Sequence, residues 1–154
     1  MWHKLKVFIK PILGTFLIGG LAAFLTRHDQ AVYETLVKPK WSPPGAVFPF
    51  VWGVLYLLMA IGLGLVKQSG KPGIRDANTI YWTQLVLNGI WPLLFFTAMQ
   101  FFFSFLWLVL LFFMVIAMIL AFAKCSEKAA LLQIPYLLWV AFAGYLNLMI
   151  ALKN

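Results

Sequence analysis

The chain has 154 residues, of which 64% are hydrophobic and only 10% charged, against about 25% charged in a soluble domain. So few charges cannot cover a soluble fold of this size, and the composition assigns the chain to membrane proteins. The net charge is +8, but the basic residues flank apolar runs instead of forming one patch. That argues for membrane topology and anionic headgroups, and against nucleic acid as a partner.

In chain order, the first expected span is 7–26, with Lys4, Lys6 and Lys10 at its start. It has the charged opening of a signal peptide, but Leu25-Thr26-Arg27 offers no small-residue cleavage site, so it reads as a retained span. A long loop, 27–45, follows and contains Lys38-Pro39-Lys40-Trp41-Ser42-Pro43-Pro44-Gly45. Each proline lacks an amide donor and fixes φ, which makes a stiff aromatic connector and a candidate lid. The second span is 46–66, ending in the polar turn Lys67–Asp76.

From Ala77 to Ala123 the chain carries no charge for 47 residues. At about 1.5 Å per residue this would make a helix of roughly 70 Å, over twice the roughly 30 Å hydrocarbon core. The chain must therefore fold back, and Met99-Gln100 is where polarity rises. The third and fourth spans are thus 77–98 and 102–123, and a fifth is 129–152. In lipid these must be helices, because open strands leave backbone groups unpaired, and the period-two alternation of a barrel is missing. The expectation is one all-α integral membrane domain over residues 1–154, a five-transmembrane-helix bundle.

Eight basic residues lie at the N-terminus and in the second and fourth loops: Lys4, Lys6, Lys10, Lys67, Lys71, Arg75, Lys124 and Lys128. Four lie on the other side: Arg27, Lys38, Lys40 and Lys153. The bias puts the N-terminus in the cytoplasm and the long loop outside.

Ordinary catalytic groups are scarce. The acids Asp29, Glu34, Asp76 and Glu127 lie in loops or at span ends, as do His3 and His28. An embedded proton carrier is therefore lacking. Cys125 is the sole cysteine, so there is no intrachain disulfide, and no metal-ligand spacing appears. No cofactor is required by these residues.

What remains is aromatic and amide chemistry. Gln84, Asn88, Trp91 and Phe95 share one face of the third span, where Pro92 removes a backbone bond. Trp52 and Tyr56 are one turn apart on the second span. Tyr136, Trp139 or Val140, Ala143 and Asn147 line a face of the fifth. Amides in a span turn inward, and an apolar, aromatic interior with a few amides suits a flat hydrophobic ligand. The same residues have a plainer use: intramembrane amides bond neighbouring helices, and tryptophans such as Trp2, Trp41, Trp82 and Trp107 form interfacial belts. Small residues, among them Gly62, Gly64, Gly89 and Ala98, allow close helix approach and with it a homodimer.

Several blocks together carry a resemblance. Tyr33-x-x-Leu36-x-Lys38-Pro39-x-Trp41-x-Pro43-Pro44, followed by Phe48-x-x-Val51-Trp52-x-x-Leu55-Tyr56, resembles the first-loop signature of the translocator protein/tryptophan-rich sensory protein (TspO/MBR) family. Gln84-x-x-Leu87-Asn88-x-x-Trp91-x-x-Leu94-Phe95-Phe96 resembles its third-helix block. Ile134 to Asn147, with Pro135, Tyr136, Trp139, Phe142 and Ala143, resembles its fifth-helix block. The resemblance implies a five-helix bundle that binds tetrapyrroles such as protoporphyrin IX and benzodiazepine-type ligands, with sterol binding in animal members. It implies that Trp52, Asn88, Trp91, Trp139 and Ala143 line the pocket and that Trp41, Pro43 and Pro44 belong to its cap. Tyr33, Gln84, Phe95 and Asn147 complete the candidate ligand-binding set.

Two other functions stay open. One is light-dependent porphyrin degradation, with Trp52 and Trp139 as photochemical residues. The other is transport of small hydrophobic compounds. The sterol pattern is not met at the C-terminus, since Tyr145 and Lys153 are separated by seven residues, beyond its limit of about five.

Overall fold

The computed structural model describes residues 2–154, with side chains from residue 6 onward. The side chains of Trp2, His3 and Lys4 lie outside the described residues. The chain is all-helical, with α1 (Trp2–Thr26), α2 (Val32–Thr35), α3 (Val47–Gln68), α4 (Ile74–Pro92), a π-helical turn (Leu93–Thr97), α5 (Phe101–Cys125), α6 (Glu127–Leu131) and α7 (Ile134–Lys153). No strand occurs among the described residues.

Four stretches are long and apolar enough to cross a membrane: Lys6–Thr26, Val47–Gln68, Phe101–Cys125 and Glu127–Lys153. These match four of the five expected spans to within a few residues. The expected third span does form a long helix, α4, but by composition it falls short of a span. It carries Arg75, Asp76, Asn78, Thr79, Thr83, Gln84 and Asn88.

Three local departures have backbone causes. The long loop contains the short helix α2, which buries Tyr33. The expected fifth span is broken into α6 and α7. Pro135 sits in the first turn of α7 and has no N–H to bond the carbonyl of Leu131, so α6 ends there. Ser126 Oγ accepts from Ala129 N at 3.3 Å and caps α6. In α4 the missing N–H of Pro92 is followed by a wider turn, in which Ala98 N donates to Leu93 O, five residues back, at 2.9 Å. The fold-back expected at Met99-Gln100 lies just beyond, and Met99 takes a left-handed φ of 53° to make it.

The long helices close into a ring. α1 packs on α3 and α4, α5 packs on α4 and α7, and α3 meets α6 and α7. Antiparallel contacts between α1 and α3 run from Phe8 against Gly64 to Tyr56 against Gly19. The glycines read as self-association surface are used inside the chain. A Cβ on Gly62 would overlap Gln133 Nε2, one on Gly64 would overlap Phe8, and one on Gly89 would press on Ile18. Trp107, read as a belt residue, instead donates from Nε1 to Leu87 O at 2.8 Å and ties α5 to α4.

Gly62→Ala should lower stability by about 1–3 kcal/mol, the usual range for overpacking a tight contact. Gly144→Ala, whose Cβ would meet nothing within 4 Å, should change little. Denaturation of the detergent-solubilised protein compares the two, and equal effects would show that the Gly62 contact is loose.

Candidate functional site

Polar side chains inside the bundle form two bonded chains. Tyr56 OH donates to Asn88 Oδ1 at 2.9 Å, Asn88 Nδ2 donates to Tyr136 OH at 2.8 Å, and Tyr136 OH donates to Gln84 Oε1 at 2.7 Å. This chain joins α3, α4 and α7. In the second, Trp91 Nε1 and Ser104 Oγ both donate to Asn147 Oδ1 at 3.0 Å, and Asn147 Nδ2 donates to Phe101 O at 2.7 Å. That ties α4, α5 and α7 at the opposite edge of the ring. Each amide in these chains is buried. Lipid offers it no partner, so the bonds are what make its burial tolerable.

Between α1, α3 and α4, under the long loop, lies a cavity of about 590 Å³. Trp52, Phe48 and Tyr56 wall it from α3, and Asn88, Trp91 and Pro92 from α4, with Phe96 of the π-turn beside them. Phe16, Gly19, Gly20, Ala22, Ala23 and Thr26 form the α1 wall. Arg27, Gln30, Tyr33, Glu34, Gly45 and Ala46 close the loop end. The ring of Trp52 lies 5.5 Å from Tyr56 and 6.1 Å from Tyr136. Small residues on α1 leave the space and aromatic residues on the other helices shape it. The amide chain reaches one wall, where Asn88 and Tyr56 present polar atoms.

The loop is fastened across this cavity. Tyr33 OH donates to Pro43 O at 3.1 Å, and burial pushes the Tyr33 phenol above its ordinary value, which keeps that donor protonated. Lys38 Nζ donates to Tyr33 O at 2.7 Å and pairs with Glu34 at 3.3 Å. Thr97 Oγ1 donates to Asp29 at 2.6 Å. Asn154 exchanges two bonds with the backbone of Val37, at 3.0 and 3.1 Å.

The candidate residues therefore divide. Tyr33, Trp52, Asn88 and Trp91 come together around the cavity. Gln84 is fully buried behind it and bonded to Tyr136 and Met59. Phe95, Ala143 and Asn147 lie next to it, around a void of only about 20 Å³. Trp139 lines a separate apolar groove of about 410 Å³ between α3 and α7, with Phe48 between it and the cavity, 5.8 Å from its ring. Pro43 acts through its carbonyl, and Pro44 O accepts from Val47 N at 3.0 Å to start α3. Trp41 is 81% exposed and points away. The α1 wall was not among the residues singled out from the sequence. Its signal is the run Gly19-Gly20-Leu21-Ala22-Ala23, small residues where a lipid-facing helix has no need of them.

These observations define an integral membrane protein whose helices enclose an aromatic, nearly charge-free cavity. The model of the TspO/MBR family matches residues 11–152. The tryptophan-rich protein TspO of Chlorobaculum tepidum is 40% identical over 146 residues, covering 92% of each chain. The translocator protein of Ovis aries is 39% identical over 145 residues, covering 89% of this chain and 86% of the relative. The tryptophan-rich protein TspO of Archaeoglobus fulgidus is 34% identical over 149 residues, covering 95% of both. The chain belongs to the TspO/MBR family.

Asn147→Ala should cost about 1–3 kcal/mol, because Trp91 Nε1, Ser104 and Phe101 O lose a buried partner. Trp41→Ala should stay within about 0.5 kcal/mol of the parent, as exposed positions do. Unfolding curves in detergent decide between this bonded core and a loosely packed one.

Proposed function

We propose that this protein binds tetrapyrroles such as protoporphyrin IX, and other flat hydrophobic ligands, in the cavity between α1, α3 and α4. The observation that carries the reading is the cavity itself. Its volume falls in the roughly 300–1,000 Å³ range of ligand sites, and its lining is aromatic with few polar atoms. Trp52, Phe48 and Trp91 supply faces for a planar ring system. Asn88 and Tyr56 offer hydrogen bonds to its polar edge. Tetrapyrroles are the ligand class that the family resemblance implies. Benzodiazepine-type compounds fit the same description, and sterols receive no local support from the C-terminal sequence.

The light-dependent degradation reading is less well supported. It enlists Trp52 and Trp139 together, and these line different spaces. The transport reading lacks an acid embedded among the described spans.

We also propose that α4 with its π-turn crosses the bilayer as a fifth span. Its amides Gln84 and Asn88 are buried and bonded within the ring, so its low hydropathy costs little. The basic bias then places the N-terminus in the cytoplasm. Impermeant maleimide should label Lys40→Cys and Gln100→Cys in intact cells, and Lys71→Cys only after lysis. The reverse pattern would invert the orientation, and Gln100 labelled together with Lys71 would remove the fifth span.

Protoporphyrin IX should quench tryptophan fluorescence saturably in reconstituted protein. Trp52→Ala should weaken binding about tenfold, or about 1.4 kcal/mol, in keeping with loss of one aromatic contact, and Trp52→Phe should keep most of it. Unchanged affinity in Trp52→Ala would sink the assignment of the cavity.

A further inference from the structure

The roof of the cavity and its side wall are built differently. The loop is held at separated points: Asp29 by Thr97, Tyr33 by the Pro43 carbonyl, and Val37 by both arms of the Asn154 amide. Opening it breaks several bonds at once, including the two to the end of α7. The contact between α1 and α3 is tight only along part of its length. It is closed where Gly64 meets Phe8 and where Gly19 meets Tyr56. Beyond that point, toward the roof, Gly20 of α1 and Gly53 of α3 both line the cavity, and a Cβ on either would meet nothing within 4 Å. The helices have parted there. The flanks of the gap are exposed and apolar, with Leu21 and Phe24 on α1 and Phe50 and Val54 on α3. Surfaces of that kind face hydrocarbon.

We infer that ligands reach the cavity sideways from the bilayer, through the slit between α1 and α3 at Gly20 and Gly53, beneath a roof that stays fastened. This rests on the cavity reading above. A flat hydrophobic molecule partitions into the membrane first. A slit walled by apolar side chains then admits it without returning it to water, and without breaking the bonds of the loop. The two glycines leave the slit unobstructed, while the polar rim of Arg27, Gln30 and Glu34 sits at the roof.

The test is stopped-flow quenching by protoporphyrin IX of the full chain in lipid nanodiscs. Gly20→Leu with Gly53→Leu places bulk in the open slit, where folding is not threatened. Association and dissociation should both slow about tenfold, because a narrowed passage acts on both directions. Weakened affinity with an unchanged association rate would make the glycines ordinary walls and overturn the proposal. Asn154→Ala loosens the roof and should leave both rates as in the parent. Faster association in that variant would move the route to the loop and overturn it equally. Absence of saturable quenching in the parent protein would take down the cavity reading, and this proposal with it.

Discussion

The structure depends on one constraint: a polar group inside the bilayer has to find its partner within the protein. The chain from Tyr56 through Asn88 and Tyr136 to Gln84 meets it for α3, α4 and α7, and the cluster on Asn147 meets it for α4, α5 and α7. Each bond is modest, but breaking one strands a buried amide or phenol, and that penalty fixes the rotation of each helix about its axis. Helices locked in rotation hold Trp52 and Trp91 toward a common space. The tolerance of α4 for its own polarity has the same origin.

Much of this was legible in the sequence. The long helices show as charge-free runs between clusters of basic residues, and the 47 uncharged residues had to fold back. The turn at Met99 follows from bilayer thickness. Less legible were features that depend on neighbours. Pro135 announces the start of a helix as readily as a break in one, and only the detachment of α6 decides between them. The face carrying Gln84, Asn88, Trp91 and Phe95 was correctly read as inward. Periodicity cannot say which inward residues meet a void and which meet another helix, so Asn88 lines the cavity while Gln84 and Asn147 serve as ties. The α1 wall escaped because glycine and alanine carry no chemistry to notice. They matter by what they leave out.

The glycines illustrate how one residue type serves opposite ends. At Gly62 and Gly64 the absent side chain is replaced at once by Gln133 or Phe8, and helices approach closely. At Gly20 and Gly53 nothing takes its place. The ring is therefore dense at the end where α3 meets α6 and hollow toward the loop. A bundle that must be both stable and able to hold a guest separates the two demands along its length.

The π-turn after Pro92 fits one more residue into a turn than an α-helix would. Deleting a single residue there would restore ordinary helical bonding, yet it would swing everything after it by about 100° relative to everything before it. Trp91 would no longer share a face with Phe95, and the fold-back at Met99 would aim α5 away from its seat on α7. The segment Leu93–Thr97 is thus a place where chain length itself carries information. Homologous chains that keep this pocket should align across it without gaps, even where the side chains themselves have drifted.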